Sequence, residues 1–88
     1  MDYQNELKGF LDKDLKLKQF PTKQDKRIAA LNMILEKFEA GKEYSENEVN
    51  DIIKSMISYS DHQTIRRELI SGKKLGRIPD GSKYWKLV

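Results

Sequence analysis

Eighty-eight residues make one small domain with room for a single core. Hydrophobic residues are 38% and charged residues 35%, with 17 Lys and Arg against 14 Asp and Glu, so the net charge of +3 is unlike the one-sided charge of most disordered tails. The absence of cysteine excludes disulfides, thiolate metal sites and thiol nucleophiles, and no apolar run is long enough to span a bilayer.

Met1-Asp2-Tyr3-Gln4-Asn5-Glu6 has neither the basic nor the apolar region of a secretory signal, so a cytoplasmic protein with no membrane partner is expected. The charge is unevenly spread. Residues 61–88 carry Arg66, Arg67, Lys73, Lys74, Arg77, Lys83 and Lys86 against Asp61, Glu68 and Asp80, whereas residues 41–60 are net acidic. A basic C-terminal third is a candidate face for a polyanion, and equally an ordinary solvated surface.

In chain order, Leu7, Phe10 and Leu11 have the spacing of a short helix that Asp12-Lys13-Asp14 would end, although Gly9 weakens it. Residues 1–19 are therefore expected as a helical extension that caps the domain, pairs with another subunit or stays mobile, and residues 20–88 as the domain itself. Thr22 after Pro21, with Asp25 three positions on, predicts a helix start. Ile28, Leu31, Leu35 and Phe38, with Ile34 beside them, then form one apolar stripe over residues 23–39, with Gly41 as the stop.

Ser45 and Glu48 have the form of a capping box, and Tyr44 with Val49 that of a hydrophobic staple. They predict a second helix over 46–56 with Val49, Ile52, Ile53 and Met56 on its apolar face. A third helix is expected to start at Ser60, with Gln63 in the reciprocal position and Ile65 and Leu69 as its core edge, and to stop at Gly72. Leu75 to Ile78 and Lys83 to Leu87 flank Pro79-Asp80-Gly81-Ser82, a tight-turn signal that predicts a hairpin. Lys42–Tyr44 is the expected third strand. The predicted class is α+β, mainly α: a winged helix-turn-helix of three core helices and a C-terminal hairpin, with a short extra N-terminal helix. An unrelated α+β bundle is the alternative.

On a helical wheel with Ile65 inward, the opposite side of the third helix gathers Gln63, Thr64, Arg67, Ser71 and, if the helix reached so far, Lys74. Arginine can take guanine bidentately, glutamine can take adenine, and hydroxyls suit phosphates, so these are candidate DNA contacts. Lys83 beside the hairpin tip is the candidate backbone-phosphate contact. Arg66 borders the buried side and is expected to be structural, paired with a carboxylate such as Glu48 or Asp61. Ile70 is expected to pack under the hairpin, and Tyr84 and Trp85 to point to opposite faces of their strand.

A catalytic reading finds little. His62 has no Cys partner, Gly72 and Gly76 stand alone, and Glu46, Glu48 and Asp51 cluster at a helix start where acidic residues favour the dipole. No enzyme, catalytic residue, metal or cofactor is expected.

Phe20-Pro21-Thr22-Lys23, Tyr44-Ser45-Glu46-Asn47-Glu48-Val49-Asn50, Ile65-Arg66-Arg67-Glu68-Leu69-Ile70 and Asp80-Gly81-Ser82-Lys83-Tyr84-Trp85 occur in this order over about residues 18–87. In these motifs the chain resembles a small bacterial domain family of unknown function, found alone or C-terminal to helix-turn-helix transcriptional regulators. The resemblance implies a winged-helix-like module and assigns no ligand or operator. The expected function is a DNA-binding transcriptional regulator module, with the third helix in the major groove of double-stranded DNA and the hairpin as wing. The rival is a protein-interaction or regulatory module on the same scaffold. It would act beside another regulator or by self-association through the N-terminal segment, where Phe10, Leu11, Leu15 and Leu17 are candidate surface apolar residues.

Overall fold

Ala29, Ala30, Leu31, Met33, Ile34 and Leu35 put apolar side chains around most of a helix circumference, and a helix of that kind must lie inside. In the computed structural model, which describes residues 3–88, all six are buried. Around them the chain forms α1 (Tyr3–Glu6), α2 (Gln24–Leu35), β1 (Glu43–Tyr44), α3 (Glu46–Met56), α4 (His62–Ser71), β2 (Leu75–Arg77) and β3 (Tyr84–Lys86). The fold is α+β and mainly helical, in an order compatible with a winged-helix-like arrangement. Among the described residues no helix is long and apolar enough to cross a membrane.

Helix α2 differs from the expected single stripe. Ile28 is 44% exposed, and the buried set instead surrounds the C-terminal half. The helix also stops at Leu35, because the Lys37 and Phe38 N–H groups bond back only three residues, to the Ile34 and Leu35 carbonyls. That tighter turn swings Phe38 into the core, where its ring meets Tyr44 edge-on at 5.1 Å. The N-cap is Lys23 with no side-chain cap bond, so the expected Thr22 cap is not made.

The capping box at α3 is present in full: Glu48 N–H donates to Ser45 Oγ, and Ser45 N–H to Glu48 Oε1. At α4 the cap is Asp61, one residue after the expected Ser60, and Gln63 takes no part in it. A carboxylate at this position adds charge complementarity to the helix dipole, which a serine hydroxyl cannot. Past Gly72 the chain turns left-handed at Lys73 (φ 58°), with Lys74 N–H on the Leu69 carbonyl and Lys73 N–H on the Ile70 carbonyl.

The sheet is antiparallel in the order β1-β3-β2, with Tyr84 opposite both Tyr44 and Arg77, and Trp85 opposite Gly76. Tyr84 is the core residue and Trp85 lies half-buried on the outer face, the opposition that strand alternation requires. Gly81 (φ 77°) closes the hairpin with its N–H on the Ile78 carbonyl. A Cβ placed on Gly76 would sit 2.7 Å from the Trp85 indole, so the glycine is what lets the ring lie flat across β2.

The first nineteen residues depart most from expectation. Leu7–Leu11 is not a helix; α1 precedes it, and Asp12 Oδ1 accepts the Asp14 and Lys16 N–H groups in a local turn that competes with helix. Leu7 and Leu17 are nonetheless fully buried in the same core as residues 20–88. Leu17 N–H donates to the Met56 carbonyl at 2.8 Å and its own carbonyl accepts the Ser58 N–H at 2.9 Å, tying the segment to the end of α3.

Leu17→Ala is expected to lower stability by about 2–5 kcal/mol in urea unfolding, as a core truncation does; a loss near zero would detach the N-terminal segment from the fold. Gly76→Ala should displace the Trp85 ring, costing about 1–3 kcal/mol. Trp85 is the protein's one tryptophan, so the displacement is read directly as a red shift in its fluorescence.

Candidate nucleic-acid interface

Ile65 and Leu69 are fully buried and set the rotation of α4 about its axis. The side turned outward then carries Gln63, Arg67 and Ser71, all exposed, whose side chains make no hydrogen bond or salt bridge among the described residues. The other three candidates fall elsewhere. Thr64 is half-buried and its hydroxyl donates to Asp61 Oδ2 at 2.7 Å, so it serves the cap. Lys74 lies past the helix end and faces the flank lined by Gln24, Arg27, Ile28 and Glu68. Extending the wheel to Lys74 fails because the left-handed turn at Lys73 ends the helical period first. Lys83 pairs with Glu43 across the sheet at 3.7 Å, both side chains largely exposed.

Between the start of α3, the outer side of α4 and the hairpin lies a groove of about 390 Å³. Its walls are Glu46 from α3, Arg66, Arg67, Ile70 and Ser71 from α4, and Arg77 with Tyr84 from the sheet. Arg66 is paired within the fold, but with Asn50 Oδ1 and, at 3.9 Å, Glu46 Oε1. The carboxylates named from sequence were already engaged, Glu48 by the capping box and Asp61 by Thr64. Glu46 Oε1 also accepts the Tyr84 hydroxyl at 3.1 Å, so one acidic group is held between an arginine and a buried tyrosine. Ile70 is half-buried against the core on the hairpin side of the helix.

Arg77 belongs to the groove and was not among the sequence candidates. The signal was present: once Leu75 points inward, alternation sends Arg77 to the same face, opposite Tyr84. The Arg77 side chain is exposed and, like that of Arg67, makes no hydrogen bond or salt bridge among the described residues. Arg27, by contrast, is spent on the far flank, 3.0 Å from Glu68 and over the Phe20 ring.

The nearby ionisable groups are tuned by these contacts. Hydrogen bonds from the Thr64 hydroxyl and N–H hold Asp61 below the usual carboxylate range, with Arg67 and His62 adding to the effect. The Ser82 N–H does the same for Asp80 at the hairpin tip. Burial raises the Tyr84 hydroxyl, and its bond to Glu46 raises it further. In the connection between α3 and α4, burial and the Asp61 charge push the Tyr59 hydroxyl to about 12, and among the described residues that hydroxyl has no hydrogen-bond partner.

These features define a class: a small α+β domain whose short-linked helix pair and three-stranded sheet frame an arginine-lined groove. Within that class the chain belongs to a bacterial family described as an uncharacterized protein conserved in bacteria (DUF2087), whose model matches residues 16–86. Among curated proteins and among solved structures, none matches the chain.

The Tyr59 hydroxyl provides a pH test. Its folded pKa of about 12 lies above the ordinary 10.0, so the folded protein keeps a proton that the unfolded chain loses. The associated stability is whole below pH 10 and lost as pH rises from 10 towards 12. Tyr59→Phe is expected to make that alkaline decline shallower. At pH 7 it should raise stability by about 1 kcal/mol, since an unsatisfied buried hydroxyl is removed; a loss at pH 7 would reveal a partner for the hydroxyl.

Proposed function

We propose that this chain is a double-stranded DNA-binding module of a bacterial transcriptional regulator, a binding domain and not an enzyme, working in the cytoplasm alone or joined to a helix-turn-helix partner. In this reading α4 lies in the major groove. Arg67 takes a guanine edge or a phosphate, Gln63 an adenine edge and Ser71 a phosphate. The hairpin follows the adjacent backbone with Arg77, and with Lys83 once it leaves Glu43.

The observation that supports it most is the pair Arg67 and Arg77. They reach one groove from two different elements, and among the described residues neither is tied down by a salt bridge. Two free guanidiniums on one concave wall suit an extended anion better than a solvated surface would require. Glu46 on the same wall, Glu43 beside Lys83 and Asp80 at the tip lower the local potential. That acidity favours a second reading, a protein-interaction module on the same scaffold.

Fluorescence anisotropy with a labelled mixed-sequence duplex separates the two. Affinity is expected to fall with salt at a log–log slope of about −3 to −4, for three to four phosphates neutralised. Arg67→Ala and Arg77→Ala should each weaken binding about five- to fifty-fold with the unfolding transition unchanged. Glu46→Gln should tighten it by removing the groove's negative charge. No salt-dependent binding at low ionic strength would overturn the proposal.

A further inference from the structure

Helix α3 starts on the arginine groove at Glu46 and ends about 15 Å away at Met56, on a second depression that shares no lining residue with the groove. That depression, of about 290 Å³, is lined by Tyr3, Leu11, Leu15, Met33 and Met56, with Glu36 and Lys37 on its rim. Leu15 is the unusual member. It is 47% exposed and its φ is 62°, the left-handed region that a leucine rarely adopts. Its turn is well held: Leu15 N–H donates to the Asp12 carbonyl, and the Asp12 carboxylate accepts the N–H groups on either side, from Asp14 and Lys16. A fixed turn is thus presenting an apolar side chain to water at the cost of backbone strain, beside a hollow lined by apolar residues.

A patch that carries both a projecting leucine and a hollow to receive one is complementary to itself, the condition for contact across a twofold axis. The rim meets the same condition in charge. Glu36 and Lys37 are adjacent, exposed and opposite in sign, and a twofold axis passing between them would set Glu36 of one copy, which also accepts the Tyr3 hydroxyl at 3.2 Å, against Lys37 of the other. Met33 and Met56 are flexible enough to close around an inserted leucine.

We propose that this face joins two copies of the chain in a symmetric dimer, Leu15 of each copy seated between Tyr3, Leu11, Met33 and Met56 of the other. Eight residues line the depression, against roughly 20–30 a side in a standard interface, so a weak association in the micromolar range is expected. Both arginine grooves stay open in such a dimer, because they lie at the other end of α3. The proposal stands independently of what those grooves bind.

Sedimentation velocity on the full chain from about 5 to 500 µM tests it, a range bracketing micromolar affinity. A monomer–dimer equilibrium is expected. Leu15→Asn should weaken it at least tenfold while leaving the dilute protein's thermal unfolding unchanged or higher, because asparagine accepts the left-handed conformation more readily than leucine. Glu36→Lys and Lys37→Glu should each weaken the dimer by setting like charges together, and the double exchange should restore it. A monomer at every concentration, a dimer that Leu15→Asn leaves intact, or a double exchange that fails to restore would each overturn the proposal. So would a monomeric chain that uses this hollow for a different protein.

Discussion

A helix whose C-terminal half is apolar on nearly every side imposes the plan of this molecule. Buried surface on α2 has to be covered from all directions, and a chain of 88 residues has few elements with which to do it. Helix α4 covers one side with Ile65 and Leu69, and the N-terminal segment closes another with Leu7 and Leu17. The α3 helix and the inner face of the sheet complete the core through Val49, Ile53, Tyr44, Leu75 and Tyr84. Because α4 must give its apolar edge to this core, its polar edge has no choice but to face water. The outward presentation of Gln63, Arg67 and Ser71 is therefore a consequence of packing around α2.

Charge is distributed on this frame with a similar economy of partners. Five acidic groups near the candidate interface are each committed locally: Glu48 to the Ser45 cap, Asp61 to the α4 cap, Glu46 to Tyr84 and Arg66, Glu43 to Lys83, and Asp80 to its own turn. The acidic groups that stabilise helix starts and turns are thereby kept from pairing with Arg67 and Arg77 by hydrogen bonds or close salt bridges. The groove retains two accessible guanidiniums even though the protein's net charge is only +3. Glu46 is the exception in position, since it lies on the groove wall and tempers the potential there.

Where the sequence was legible, the signal was local and chemically redundant. The Ser45–Glu48 box announces itself by two reciprocal bonds, and the Asp80-Gly81 turn by a residue free to adopt positive φ. Where two local solutions compete, reading failed by one residue or one turn. Ser60 and Asp61 are both acceptable caps, and the charge on Asp61 decides between them. Leu7, Phe10 and Leu11 have helical spacing, but the Asp12 carboxylate offers the backbone a turn instead, and only contact with the end of α3 gives Leu17 its buried place. Arg77 and Lys74 exchanged roles as candidates for the same reason: their directions depend on where a strand starts and where a helix stops.

Sequence alone determined the class of fold, the order of helices and strands, the inward edges of α3 and α4 and the basic bias of the last third, because each follows from periodicity, capping chemistry or composition within a dozen residues. Tertiary structure decided which polar groups remain available. Arg66 is tied to Asn50 and Glu46, Lys83 to Glu43, and Arg67 and Arg77 are left facing one groove. That allocation joins residues up to about forty positions apart. It rests on which side chains come within bonding distance once the core has closed, a quantity that no local pattern contains.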